Sequence, residues 1–200
     1  MPVTRSCTNE SATPFVSPAT RPWLEWVREG PRTLDAMLDL VRRMRGRFDL
    51  GDAFSYVITE KSSGAMIGGC VLTPHPAEAS GTIGYWLAET KTGQGLGTEA
   101  AAALVRVGFE VDHLELLEIH SVSANERSAR VAERLGFVHD GTLRARLRSA
   151  DGSREDRDSW SMLREEYERS AAAHVKVEAY DALGRSILED AGGRRRSGFR

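Results

Sequence analysis

The sequence predicts an α+β fold, a mixed and mostly antiparallel sheet flanked by helices. Three observations predict it. The runs Phe54–Glu60, Met66–Leu72 and Thr82–Leu87 follow one another across short links, which reads as an antiparallel meander. A glycine-rich turn, Gly93-Gln94-Gly95-Leu96-Gly97, then opens a long apolar helix. Two later strand-like runs, Phe137–Leu147 and Arg157–Leu163, bracket Asp151-Gly152 as a final hairpin.

Each element has its own local justification. Residues 1–20 are rich in Pro, Ser and Thr without any period, and read as a loose arm. Trp23, Leu24, Trp26 and Val27 form an apolar cluster. Thr33, Leu34, Met37, Leu38, Val41 and Met44 then recur at helical steps; Pro31 and Thr33 fit a helix start and Gly46 a stop. Lys61-Ser62-Ser63-Gly64 is a tight polar turn, and Thr73–Ser80, with two prolines and His75, reads as a loop. The helix after the glycine turn runs from about Leu96 to Asp112. Leu96, Ala100, Leu104, Val107 and Val111 make its apolar stripe, and Ala101, Ala102, Val105 and Phe109 make the flanks apolar too, so it is largely buried. Leu116–Val122 is the next strand. Asn125–Leu135 is a short helix with Val131 and Leu135 inward, closed by Gly136. Val177, Tyr180, Gly184, Ile187 and Ala191 fit one amphipathic helix, and Gly192–Arg200 a solvated basic end.

Composition narrows the function classes. The chain has 200 residues, 40% hydrophobic and 28% charged, which suits one globular domain rather than a disordered or membrane-embedded chain. No run of apolar residues is long enough to span a bilayer, and Met1–Thr20 has no apolar signal core. A cytoplasmic protein with no membrane partner is the expectation. The formal net charge of -2 argues against nucleic acid as a partner. Cys7 and Cys70 have no metal-ligand spacing, so the reading is two unpaired thiols, Cys70 in a core strand, and no metal.

The glycine turn is the most informative segment. Glycines allow a tight turn and close approach of a ligand to the amides, and a helix N-terminus supplies free N–H groups and partial positive charge. Together they make an anion site suited to phosphate or pyrophosphate. A P-loop fails because no Gly-Lys-Ser/Thr occurs. Gly95-Leu96-Gly97-Thr98-Glu99-Ala100 meets the dinucleotide fingerprint formally, and Glu115 follows Gly95 by 20 residues. However, the polar run Ala88–Thr92 separates the turn from its strand, and Glu115 lies at the start of the next strand rather than its end.

A longer pattern accounts for the turn better. Gly84-Tyr85-Trp86-Leu87 precedes it, Trp23-Leu24-Glu25-Trp26 and Ile67-Gly68-Gly69 stand upstream, and Asn125-Glu126-Arg127-Ser128, Leu135-Gly136-Phe137 and Gly141-Thr142-Leu143-Arg144 follow. In this order, from about Trp23 to Tyr167, the chain resembles the GNAT N-acetyltransferases, most closely the ribosomal-protein N-acetyltransferases of the Rim type. The resemblance implies the GNAT acyl-CoA N-acyltransferase fold. The family's first strand would be missing or irregular, since residues 1–20 show neither its Leu-Arg-Leu-Arg strand nor its acidic helix. It divides the chain into a loose arm over 1–20, an N-acetyltransferase domain over 21–168 and a C-terminal extension over 169–200, with a short helix before a disordered basic end.

The resemblance also implies roles. Acetyl-CoA would be the co-substrate, its pyrophosphate on the amides of Gln94, Gly95, Leu96, Gly97 and Thr98. Thr92 stands where the family has Gln or Arg, a change that the amides survive. Tyr85, Trp86 and Leu87 would pair with the pantetheine arm and polarise the thioester carbonyl. Asn125 would hold the pantetheine or cap its helix, and Ser128, one turn on, would protonate the departing thiolate. Arg127 and Arg130 would meet the nucleotide phosphates. The acceptor would be a protein or peptide α-amine attacking directly in a ternary complex. An α-amine with a pKa near ~7.8 needs only a weak base, unlike a lysine near ~10.4. Some relatives carry a carboxylate where Leu147 stands, and a Glu often occupies the place of Thr82. Glu118 and His120, on the strand beside the cleft, remain as base candidates. A small amine such as an aminoglycoside or polyamine is the rival acceptor, a non-catalytic acyl-CoA-binding module the rival class, and a homodimer stays open.

Overall fold

The computed structural model describes residues 33–149, 152–181 and 183–188. The arm over 1–20, the Trp23–Val27 cluster, Cys7 and the basic end lie outside them. Six strands form one sheet in the order β1-β2-β3-β4-β6-β5. These are β1 (Phe54–Thr59), β2 (Met66–His75), β3 (Ser80–Leu87), β4 (Leu116–Val122), β5 (Val138–Arg148) and β6 (Arg154–Leu163). All neighbours pair antiparallel except β3 and β4, which run parallel. The helices are α1 (Leu34–Asp49), α2 (Leu96–Arg106), α3 (Glu126–Leu135) and the single turn α4 (Arg164–Tyr167). The predicted order of elements is therefore the observed one.

α1 starts as its sequence signals: the Thr33 hydroxyl accepts from the Ala36 amide. It does not stop at Gly46. The helix runs on to Asp49, and the left-handed glycine that closes it is Gly51, at φ 77°. Its apolar positions Leu34, Leu38, Val41 and Met44 are exposed, and its last turn packs on β1, with Phe48 edge-on to Phe54 and Tyr56. The expected loop over Thr73–Ser80 shrinks to one turn at Pro76–Glu78 with Ala79 left-handed. β2 continues through Pro74 because β1 ends opposite Leu72; past that point β2 is paired on one side only, where proline is tolerated.

The core lies between one face of the sheet and α2 with α3. Leu72, Ile83, Leu117, Ile119 and Met162 meet Ala101, Val105, Phe109 and Leu135, all essentially without exposed surface. The buried face of α2 is thus centred on Ala101, Val105 and Phe109, which had read as a flank, and Leu104 joins it from the predicted stripe. Past Arg106 the helix widens into a π-turn over Val107–Val111, where the Asp112 amide reaches the Val107 carbonyl. Gly108 lets the Leu117 side chain approach to within 3.0 Å of where a Cβ would stand. Cys70 is on β2 opposite Tyr56 and Tyr85, and burial pushes its thiol up to about 11.

After α4 the chain contributes Ala172 to the same core. Arg106, buried, donates to the Val175 carbonyl at 2.9 Å and pairs with Glu110 at 2.7 Å. The expected helix through Val177, Tyr180, Gly184 and Ile187 is absent among the described residues. The Asp181 carboxylate accepts from the amides of Leu183 and Arg185, Gly184 is left-handed, and Tyr180 bridges back to Ser186. This turn chemistry outweighs the apolar spacing that suggested a helix. No described helix is long and apolar enough to cross a membrane.

Candidate active site

The site begins where two strands part. β3 and β4 are in parallel register only from Ser80–Leu116 to Ile83–Ile119. Beyond those four pairs they diverge, and a cleft of about 360 Å³ opens between them. Tyr85, Trp86 and Leu87 form one lip; His120, Ser121 and Val122 form the other. The first turn of α2 and the outer face of α3 complete the walls.

The glycine turn is shaped as its sequence requires. Gly93 and Gly95 have φ of 76° and 84°, values that only glycine adopts freely, and their open sides meet nothing within 4 Å. Gly95 is the N-cap of α2, and the first intrahelical bond comes from the Glu99 amide. The amides of Leu96, Gly97 and Thr98 thus stand in the position that helix geometry leaves without an intrahelical partner. A Cβ on Gly97 would stand 3.6 Å from the Leu87 side chain and 3.9 Å from the Tyr85 ring, so this turn faces both.

The side chains on the far wall are tied together. Asn125 caps α3, its Oδ1 accepting from the Ser128 amide at 3.2 Å. The Ser128 hydroxyl lies 3.0 Å from the Tyr85 hydroxyl, 43 residues away in sequence. Burial pushes the Tyr85 phenol up to about 12, the Ser128 contact countering it only in part, so Tyr85 is a proton donor at neutral pH. On β4, His120 Nδ1 is 3.3 Å from the Ser159 hydroxyl, and Nε2 is 3.9 Å from Glu118. Burial, then the Arg157 charge, holds the His120 pKa below the ordinary imidazole value. Its imidazole is therefore neutral and basic at pH 7.

Of the residues expected at the site, Tyr85, Trp86, Leu87, Gly95, Gly97, Thr98, Asn125, Ser128 and Arg130 line the cleft. Gln94, Leu96 and Glu118 do not; the Gln94 amide group donates to the Thr90 carbonyl instead. Thr82 sits directly across from Glu118 and contacts His75 at 3.0 Å. Sequence reasoning left His120 as an alternative and missed Ser121 and Arg134. Arg134 had a legible signal: with Arg127 and Arg130 it repeats at three- and four-residue steps along one face of α3. The Tyr85–Ser128 contact had none. The group that the resemblance implies fits these walls. The Ser121 hydroxyl, buried on one lip, has no hydrogen-bond partner among the described residues, and Gly93 and Gly95 leave room for a phosphate against the turn.

Comparison with known proteins bears on the family and the fold. The family model described as Acetyltransferase (GNAT) domain matches residues 5–138. YdaF of Bacillus subtilis, provisionally named a ribosomal N-acetyltransferase, is 36% identical over 86 residues, 43% of this chain and 46% of YdaF. The chain thus aligns with less than half the length of that relative. Among solved structures, Mycobacterium smegmatis RimJ in complex with a CoA disulfide is 27% identical, with a TM-score of 0.67 over 78% of this chain and 75% of RimJ. RimL, a ribosomal L7/L12 α-N-protein acetyltransferase in complex with coenzyme A, shares the fold at 22% identity and a TM-score of 0.66, covering 72% of this chain and 79% of RimL.

Proposed function

This chain belongs to the GNAT acetyltransferase family, and from that premise we propose that it moves the acetyl group of acetyl-CoA onto a peptide or protein N-terminal α-amine. The observation that carries the proposal is the divergence of β3 from β4 over a cleft whose walls include a helix N-terminus and the Tyr85–Ser128 hydroxyl pair.

Acetyl-CoA supplies the activated thioester when bound. The turn at Gly93–Thr98 and the arginines of α3 hold its phosphates, and the exposed edge of Tyr85–Leu87 orients its arm. The amine attacks the carbonyl carbon directly; a C–N bond forms and a C–S bond breaks. His120 takes the proton that the amine loses, with Glu118 and Ser159 beside its two ring nitrogens. Ser128 gives its proton to the departing sulfur and regains one from Tyr85, 3.0 Å away, which takes a proton from solvent in turn while His120 releases the one it accepted. Glu118 is placed to orient the imidazole rather than to touch the amine, because it lies outside the cleft. An α-amine suits so mild a base better than a lysine, whose neutral fraction at pH 7 is below about a thousandth.

Thiol release from acetyl-CoA, followed with free-amine peptides, their N-terminally blocked lysine-containing counterparts and a polyamine, tests the proposal. Release with the free-amine peptides is the expected result. Release with the polyamine alone would reassign the acceptor, and tight CoA binding without release would sink the enzyme reading.

A further inference from the structure

The face of the sheet away from the core carries an unspent charge beside the cleft. Along β6 the side chains alternate: Asp158, Trp160 and Met162 are buried with the core, while Arg157, Ser159 and Ser161 face the other way. On that second face Ser161 lies across from Glu118, Ser159 from His120, and Arg157 from Val122, which lines the cleft. Paired positions share a face, so these groups form one row. Apart from Val122 the row is polar. Glu118 and Asp140 stand at one end, Asp140 accepting from the Ser161 hydroxyl; His120 is central; Arg157 is at the other end.

Arg157 is the anomaly. Its Nε, alone among the three guanidinium nitrogens, is buried with no hydrogen bond among the described residues, which also give it no ion pair. Glu155, next along the same face, does not neutralise it, and its own Oε2 is buried without a partner. Buried guanidinium N–H groups are satisfied almost without exception, and leaving one unpaired is costly. The planar fork matches a carboxylate. His120 and Arg157 are diagonal neighbours across β4 and β6, a Cβ separation of roughly 7–8 Å.

We propose that Arg157 binds a carboxylate carried by the acceptor within one residue of the amine that reaches His120. The acceptor is then dipolar, its amine toward the Glu118 end of the row and its anion toward the Arg157 end. This rests on the transfer proposed above and names the class of acceptor. An acidic first side chain of a peptide and the α-carboxylate of a free amino acid both supply this chemistry.

Two matched pairs separate those sources: Glu-Ala-Ala amide against Gln-Ala-Ala amide, and alanine against alaninamide. Each is measured for kcat/KM with saturating acetyl-CoA, and for equilibrium binding to the CoA-loaded chain. The anionic member of at least one pair should be favoured about tenfold or more. Arg157→Gln should bring that ratio to within about twofold, and Arg157→Lys should leave it intermediate. Equal treatment of both members in both pairs, or an unchanged ratio in Arg157→Gln, overturns the proposal. A CoA-induced rise in Tm identifies folded variants; if Arg157→Gln lacks it, the Lys variant decides, and an undiminished ratio there overturns the proposal. Binding that prefers the anion without any turnover refutes the transfer and keeps the carboxylate; turnover without preference does the reverse.

Discussion

A serine hydroxyl is a poor acid by itself, and in the proposed transfer the Tyr85 hydroxyl 3.0 Å away is what makes Ser128 a useful one. Ser128→Ala should lower kcat by about a hundredfold or more while the KM for acetyl-CoA stays within about threefold. Tyr85→Phe keeps the ring against Gly97 and should give a smaller fall of the same kind. Steady-state kinetics with a peptide acceptor checks both; a fall confined to KM would mark the pair as binding groups. In the proposed transfer His120 sets the pH dependence. It is faced by Glu118 on its own strand, Arg157 on β6, Asp140 on β5 and His75 on β2. Burial and Arg157 lower its pKa more than the two carboxylates raise it, and only the neutral ring accepts a proton. Activity should therefore fall on the acid side through a pKa below the usual 6.5. In Arg157→Gln that limb should move up in pH. A kcat/KM profile measured with an acceptor whose own pKa is known separates the limb from titration of the amine.

At the scale of elements, the passage from β4 to α3 decides whether Asn125 and Ser128 meet the cleft. Asp158 on β6 anchors it, accepting from the Ser123 hydroxyl at 2.7 Å and from the Thr142 hydroxyl of β5 at 2.6 Å. Burial raises the carboxyl pKa, but these hydrogen bonds and His139 outweigh it and hold the pKa below the ordinary value. Asp158→Ala should cost about 2–3 kcal/mol in a urea melt at pH 7, because two hydroxyls lose their acceptor. The folded state favours the charged carboxylate, so this stabilisation is full above the unfolded pKa and is lost as pH falls through the folded one. The gap between wild type and Asp158→Asn should therefore narrow at pH 3. The sequence carried part of this. The Asn125 cap, the left-handed Gly136 and the glycine turn were legible because each obeys a rule spanning six residues or fewer. The Asp158 anchor was not, because Ser123 and Thr142 are brought to it by strand register, which no local pattern encodes. α1 shows the opposite limit: its period predicted the helix, but period alone could not choose between Gly46 and Gly51 as its end.

Over the whole molecule, charge is distributed rather than abundant. A net charge of -2 coexists with Arg127, Arg130 and Arg134 on one wall of the cleft. Arg130 is shared with Glu126 at 3.3 Å, and Arg127 reaches the Thr92 hydroxyl at 3.4 Å. A polyanionic nucleotide meets a local positive field there even though the chain is mildly acidic. Dephospho-CoA should bind at least about threefold more weakly than CoA, and Arg134→Ala should erase part of that difference. Titration calorimetry at two salt concentrations checks this, the difference shrinking as salt rises. Equal affinity of the two nucleotides would place the terminal phosphate away from α3.

The short parallel contact between β3 and β4 has a mechanical consequence. Four residue pairs stitch the meander β1–β2–β3 to the leaf formed by β4, β6 and β5. The sheet is a book bound along part of its spine, and a ligand arm in the gap adds the missing stitches. Amide hydrogen exchange at Tyr85–Leu87 and His120–Val122 should therefore slow when CoA is bound, while the Ser80–Ile83 seam changes little.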